Sequence, residues 1–250
     1  MDIPTTFRRI AIVGDGRAGN ALAGALGDAP EISVEGPLGR GAAADRADAV
    51  LLCVPDGEIA AAARAIPPGP LVGHVSGASG TETLAPHEGF SLHPLMTLLG
   101  AGASLHGAWA AVAGSTPRAL RAARELALAA GMQPFELAEE DRPAYHAAAS
   151  IASNFLLVVE QAAERLARSA GVGRSALVPL VRASVENWAA VGAEQALTGP
   201  IARGDEATVE LQRAAVAERA PDLLALFDEL RACTEVLVHG DTEFAGASPR

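Results

Sequence analysis

Apolar and polar positions fall into two regimes along the chain. Up to about residue 138, short aliphatic runs alternate with Ala- and Leu-rich stretches of helical spacing. The runs predict strands at 8–13, 31–35, 48–54, 70–75, 89–93 and 107–113, with a short last strand at 133–137. Helices are predicted at 17–27, 57–66 and 117–131. Such alternation builds a mainly parallel sheet covered by helices on both faces, with right-handed connections. From residue 139 only helical periodicity remains. Helices are expected at about 141–170, ending at Gly171, at 174–196, stopping before Thr198-Gly199-Pro200, and at 205–218 and 221–237. The expected organisation is an α/β domain at 1–138, an all-helical domain at 139–240 and a small-residue polar tail at 241–250, expected to be disordered.

One segment gives this frame a chemistry. Gly14-Asp15-Gly16-Arg17-Ala18-Gly19 follows the apolar run Ile10-Ala11-Ile12-Val13 and opens the first helix. Strand, G-x-G-x-x-G and helix in that order form the turn that binds a dinucleotide. The first glycine makes the tight turn, the second admits the pyrophosphate, and the third lets helix pack on strand, while the helix N-terminus offers N–H donors. The first domain is therefore expected to be a Rossmann-type α/β domain. Gly14, Gly16, Arg17, Ala18 and Gly19 are the expected cofactor contacts. Substrate is expected in the cleft between the two domains, outside the carboxyl ends of the strands.

The second strand, Ile32-Ser33-Val34-Glu35, leads to the place where a NAD-binding domain sets an acid against the ribose 2′-hydroxyl. The spacing puts Gly36 there, with Arg40 four residues on. A missing acid and a nearby Arg favour a 2′-phosphate, hence NADP over NAD. Arg17 is a second phosphate candidate. A register one residue earlier would put Glu35 in the acid position and reverse the preference. Val54-Pro55-Asp56 is expected beneath the adenosine side. His74 and Ser76, ending the fourth strand, are expected near the nicotinamide.

Composition narrows the partners. The net charge of −11 argues against nonspecific binding to nucleic acid or anionic membrane, both of which need a basic face. No stretch supplies about 18 uninterrupted apolar residues, and no long apolar segment opens the chain, so a cytoplasmic protein is expected. Cys53 lies in the apolar run Val50–Val54, far in sequence from Cys233, which favours a buried thiol over a disulfide. Neither C-x-x-C nor H-E-x-x-H occurs, so no metal site is expected. Half of the residues are hydrophobic, many of them alanine, and only 4% are aromatic, which suits close-packed helices. The Ala-rich helices of the second domain would expose an apolar face if alone, so a homodimer through them is expected.

Reduction of a carbonyl needs a placed nicotinamide, a donor at the oxygen and a cation for the substrate's acid group. On helical spacing, His146, Ser150, Ser153 and Asn154 share one face amid apolar neighbours. Such a stripe must meet a ligand or neighbouring helices. Ser91-Leu92-His93-Pro94-Leu95 ends a strand on the cofactor side and offers His93 as a second proton donor, with Ser91 beside substrate; a strand-end histidine before a proline turn is the competing reading. Arg203, in Thr198-Gly199-Pro200-Ile201-Ala202-Arg203-Gly204-Asp205, is the expected carboxylate clamp, with Thr198 near it. In the alternative, Asp205 caps the next helix and the loop is a connector.

The segments Gly14–Leu26, Val50–Asp56, His74-Val75-Ser76-Gly77, Ser91–Leu95, Tyr145-His146 through Ser153-Asn154, and Leu197–Asp205 occur in that order. Together they resemble the Rossmann-like oxidoreductases that carry the C-terminal domain of unknown function 2520. The wider group is similar to the 6-phosphogluconate dehydrogenase superfamily, which includes ketopantoate reductase, 3-hydroxyisobutyrate dehydrogenase, pyrroline-5-carboxylate reductase and prephenate dehydrogenase. The resemblance implies hydride transfer from a nicotinamide and a helical domain that often builds a homodimer. The superfamily's hydroxyacid dehydrogenases carry Lys-x-x-x-Asn on the long helix. Asn154 matches the Asn, but Ser150 stands where the Lys would be, and a Ser hydroxyl does not easily give up a proton. His146, one turn back, is the expected replacement. Ser91–Leu95 is similar to the His-Pro-Met motif of prephenate dehydrogenases. The implied activity is an NADP-dependent oxidoreductase on a small carboxylated carbonyl or imine, a ketopantoate-like 2-oxo acid first. A prephenate- or arogenate-type dehydrogenase, a pyrroline-5-carboxylate-like imine reductase and a noncatalytic NADP-binding sensor are the alternatives.

Overall fold

The structure, a computed structural model, describes residues 7–39, 41–42, 44–99 and 103–239. Arg40 and the 241–250 tail therefore lie outside the described residues. The strands are β1 (Arg9–Val13), β2 (Ser33–Leu38), β3 (Ala49–Leu52), β4 (Leu71–His74), β5 (Gly89–Pro94), β6 (Trp109–Gly114) and β7 (Gln133–Glu136). They form one sheet in the order β2-β1-β3-β4-β5-β6-β7. The first five in that order pair in parallel; β6 runs antiparallel to β5, and β7 parallel to β6. The sheet is mainly parallel, as the alternation predicts.

Period-2 alternation sends neighbouring residues to opposite faces. Ile10, Ile12 and Leu51 join one buried cluster with Leu22 and Leu26 of α1 (Arg17–Gly27) and with Ala119, Ala122, Ala123 and Leu126 of α3 (Pro117–Ala129). Ala11, Val13, Val50 and Leu52 join the other with Ile59 and Ala63 of α2 (Ile59–Ala65). A buried parallel sheet thus reads as continuous apolar runs. Thr116 caps α3, accepting from the Ala119 N–H at 3.1 Å.

The chain divides into two compact units, Met1–Ser153 and Asn154–Arg250. Helices begin at 139 as the periodicity predicts, yet α4 (Arg142–Ser150) belongs to the first unit. The cause is polar: Glu139, Arg142 and Tyr145 all bond to the sheet or its loops. The single helix expected over 141–170 is interrupted, because Ile151–Phe155 forms a π-helical segment before α5 (Leu156–Ser169).

In the second unit, α6 (Arg174–Val191) stops at Gly192, whose φ of 80° breaks the expected 174–196 helix and sets off α7 (Ala193–Ala196). Then follow α8 (Glu206–Arg219) and α9 (Leu224–His239). Ion pairs hold these helices where buried apolar side chains are few. The carboxylate of buried Glu164 is shared by Arg168 and Arg174. Two-point pairs join Arg165 to Asp222 and Arg213 to Asp228.

Candidate active site

Because β1, β3, β4 and β5 are parallel, their carboxyl ends share one edge of the sheet. The glycine loop, Cys53, His74 and His93 all stand there. β1 lies between β2 and β3, so the chain leaves it in opposite directions: this is the switch point at which open α/β sheets bind ligands.

The loop is shaped from within. Gly14 has φ 115°, and a Cβ on it would stand 2.2 Å from the Cys53 carbonyl oxygen. A Cβ on Gly19 would stand 1.9 Å from the Gly14 carbonyl oxygen. The fold itself therefore demands both glycines. Gly16 differs: a Cβ there would meet nothing within 4 Å. Its backbone is extended and caps α1 without a side chain, so the first N–H groups of the helix are left to other partners. Asn20 straps the loop, donating to the carbonyls of Asp15 and Gly16 at 2.6 and 3.0 Å. Arg17 is exposed and Ala18 half-buried at the start of α1. The loop is a cradle open where a pyrophosphate would approach, and its residues fit a dinucleotide.

The end of the second strand requires a correction. β2 runs on to Leu38, so Gly36 is not its end. Between the pairs Ala11–Glu35 and Val13–Leu38 one residue of β1, Ile12, faces two of β2, Gly36 and Pro37, a bulge. Gly36 sits in it with φ 121°, where a Cβ would stand 2.6 Å from the Ile12 carbonyl oxygen. Glu35 pairs with Ala11, short of the strand end, so the alternative register also fails. The strand ends at Leu38, whose carbonyl accepts from the Gly14 N–H at 2.8 Å, and Gly39 follows. After β3, Val54 is half-buried, and Pro55 and Asp56 are exposed.

His74 is fully buried and fully employed. Its Nδ1 accepts from the Ser76 N–H at 3.2 Å, and its Nε2 donates to the Gly80 carbonyl at 3.2 Å, which fixes the neutral tautomer. Burial holds its pKa below the ordinary histidine value. Ser76 Oγ in turn accepts from the N–H groups of Ala78 and Ser79. Both residues shape the loop after β4.

That loop borders a polar cluster. His93 Nδ1 shares a 2.7 Å hydrogen bond with the Tyr145 hydroxyl. The rings of Tyr145 and His146 stand 5.6 and 6.4 Å from that of His93. A Cβ on Gly77 would stand 2.9 Å from His93 Nε2 and 2.9 Å from His146 Cδ2. Burial, then the neighbouring His146, push His93 down to about 4; burial pushes the Tyr145 hydroxyl up to about 12. Both are neutral near pH 7.

Beneath them lies buried Arg142. Its Nη2 donates to Ser91 Oγ at 3.0 Å, and its Nε to Glu139 Oε2 at 2.8 Å. Glu139 also accepts from the Thr81 N–H and hydroxyl. Arg142 Nη1 is buried with no protein partner among the described residues. Arg142, Tyr145 and Gly77 were not expected as site residues. One signal existed: an Arg opening a helix works against the helix dipole and needs another reason to be there.

The structure thus joins His93, His146 and Ser91, but not in the roles expected of all three. Ser91 is buried and occupied by Arg142. The stripe from His146 to Asn154 does not keep its 3.6-residue spacing, because it runs through the π segment, where hydrogen bonds span five residues. The side chains of Ser150, Ser153 and Asn154 make no hydrogen bond among the described residues. In the second unit, Thr198 and Arg203 are exposed. Asp205 caps α8, accepting from the Thr208 N–H at 3.1 Å, and does not pair with Arg203 through a hydrogen bond. No group of His, Cys, Asp and Glu able to hold a metal occurs among the described residues. None of the described helices is long and apolar enough to cross a membrane.

Residues 108–234 match the family described as Domain of unknown function (DUF2520). The chain belongs to this family. No curated protein matches the DUF2520 chain in sequence. Solved structures share its fold. BF3122 of Bacteroides fragilis, whose assignment as an NADP oxidoreductase is provisional, superposes with a TM-score of 0.77 at 17% identity, over 92% of this chain and 99% of its own. Protein TM1727 of Thermotoga maritima gives 0.76 at 22% identity, over 94% and 100%. The pyrroline carboxylate reductase of Plasmodium falciparum, solved with NADP bound, gives 0.60 at 12% identity, over 92% and 98%.

Proposed function

We propose that this DUF2520 protein is an NADP-dependent oxidoreductase that moves hydride to or from a small carboxylated carbonyl or imine, a 2-oxo acid of the ketopantoate kind first. The observation that carries this reading is Gly16. The fold explains Gly14 and Gly19 but leaves Gly16 facing open space at a bare helix N-terminus. Gly14, Gly16, Arg17, Ala18 and Gly19 would hold the pyrophosphate. No acid occupies the end of β2, and Arg40 follows it in sequence, which favours the 2′-phosphate of NADP. The fold shared with an NADP-bound reductase supports the same cofactor.

When bound, the nicotinamide supplies or accepts the hydride. The chain's own part is proton handling and placement. His93 is a neutral imidazole whose Nδ1 is taken by Tyr145, so the proton moves at Nε2. Tyr145 fixes the ring. His146, exposed beside it, is the second candidate. Arg203, exposed and without a hydrogen-bonded partner among the described residues, is the substrate's carboxylate clamp in this reading, with Asn154 and Thr198 as further contacts. Homodimerisation through the helical unit belongs to the same proposal. Phe155, Leu157, Leu180 and Trp188 are large apolar side chains left exposed at 58%, 66%, 65% and 59%, and a second copy would cover them.

The test is NADPH oxidation by the purified protein against 2-oxo acids, cyclic imines and aldehydes, with NADH in parallel. Turnover with NADPH on one of them is expected, and Arg40→Ala should weaken NADPH more than NADH. Tight NADPH binding with no turnover on any member would favour a sensor. No binding of either nucleotide would overturn the proposal.

A further inference from the structure

Two rungs join β5 to α4. Ser91 and His93 are two apart on a strand and point to the same face. Arg142 and Tyr145 are three apart on a helix and share a side. Ser91 Oγ meets Arg142 at 3.0 Å, and His93 Nδ1 meets Tyr145 at 2.7 Å. Arg142 is 2% exposed, and its guanidinium is held from the far side by Glu139, itself tied to Thr81. A cation so deeply buried costs stability unless it is paired, and a paired hydrophobic isostere would often serve the fold as well. We propose that Arg142 is the positioning residue of the His93–Tyr145 pair, setting through Ser91 the register at which α4 presents the Tyr145 hydroxyl to His93.

The charge works in the same sense as the geometry. The groups that act on His93 are His146 and Arg142 of α4, His74 of β4, and Asp56 after β3. Burial dominates; His146, Arg142 and His74 oppose a proton on the ring, and only Asp56 favours one. Tyr145 stays protonated, with burial outweighing the pull of Arg142. His93 is therefore kept neutral, with one nitrogen assigned to Tyr145 and the other left for a reacting group. This role for Arg142 rests on the oxidoreductase reading only for its purpose; the His93–Tyr145 bond is a property of the folded chain.

The experiment is therefore done without substrate. In the full chain, long-range proton–nitrogen correlation spectra of the histidine rings report the tautomer of each at pH 7, and a titration reports each midpoint. Wild-type His93 is expected as a single neutral tautomer. Arg142→Met should mix the tautomers and raise the His93 midpoint by about one unit. Arg142→Lys keeps the charge but loses the fork, so it should mix the tautomers while leaving the midpoint low. Ser91→Ala, which removes one rung, should do the same and covers the case in which Arg142→Met does not fold. In a Tyr145→Phe background, Arg142→Lys should have no further effect on the His93 tautomer, since the pair it positions is gone. An unchanged His93 tautomer in Arg142→Lys and Ser91→Ala would overturn the inference, as would an equal effect with and without the Tyr145 hydroxyl. Failure of the turnover panel would leave these spectra untouched, so the two readings fail separately.

Discussion

Gly77 and His93 are packed so closely that no side chain fits between them: a Cβ on Gly77 would stand 2.9 Å from both Nε2 and Cε1 of the ring. The φ of Gly77 is not in the left-handed region, so the backbone would tolerate alanine, and the conflict is purely with His93 and His146. Gly77→Ala should displace one or both rings. Overpacking of this kind costs about 1–3 kcal/mol, measurable by thermal unfolding. Turnover should fall by about 100-fold, as expected for a catalytic group displaced by about 1 Å. Wild-type turnover in Gly77→Ala would remove His93 and His146 from the chemistry.

The glycine loop separates fold from ligand. Gly19→Ala puts a methyl group 1.9 Å from the Gly14 carbonyl oxygen and should cost about 3 kcal/mol or more. Gly16→Ala meets nothing and should cost at most about 1 kcal/mol, the loss of a favourable helix cap. NADPH affinity should drop in both. Unfolding curves and NADPH fluorescence titrations on the two variants check this; full NADPH affinity in Gly16→Ala would detach the loop from the cofactor.

His93 makes stability depend on pH with a definite sign. In the folded protein it takes a proton at about 4, whereas an unfolded histidine does so at about 6.5. Between those values the unfolded chain binds the additional proton, so stability rises with pH through the window and is lost on acidification. Buried His74 is shifted the same way. Urea unfolding between pH 4 and 7 should show that slope, and His93→Gln should flatten part of it. An identical slope in His93→Gln would mean that His93 is not shifted.

His74 is a structural histidine despite its place at the site. His74→Ala strands the buried Ser76 N–H, worth about 1–3 kcal/mol, and removes one donor to the Gly80 carbonyl, which keeps the Thr83 hydroxyl at 2.8 Å. The loss should appear in thermal unfolding, and hydrogen exchange should speed up across residues 75–80. A stable variant with reduced turnover alone would assign His74 to catalysis instead.

Where burial follows a simple period, the fold was legible in the residues. The runs around Ile10–Val13 and Ala49–Leu52 and the helix Arg17–Gly27 fall where the apolar pattern puts them. What periodicity misses are local departures. The bulge at Gly36 lengthens β2, the π segment at Ile151–Phe155 shifts the expected polar stripe, and Gly192 ends α6. Each depends on backbone torsions that residue type permits but does not require. The site was half legible for a related reason. His93 and the glycine loop lie on strand ends, where sequence order and space agree. Arg142 and Tyr145 reach His93 and Ser91 from some fifty residues away, and no local spacing encodes such a pairing. Ser91 illustrates the cost: a buried serine beside a candidate histidine reads as a ligand contact, yet its hydroxyl is committed to Arg142.

Cys53 gives the nucleotide loop a floor. Its carbonyl lies against Gly14 and its Cβ against both Gly14 and Gly19, and burial pushes its thiol up to about 12, so it is inert as a nucleophile near neutral pH. The glycine loop therefore rests on the carbonyl and Cβ of one residue just after β3, contacts that any small side chain there would keep. A β-branched residue there would crowd the two glycines, whereas a serine or alanine would keep the same floor. The loop is thus open to disturbance from underneath, with every glycine of the motif left in place.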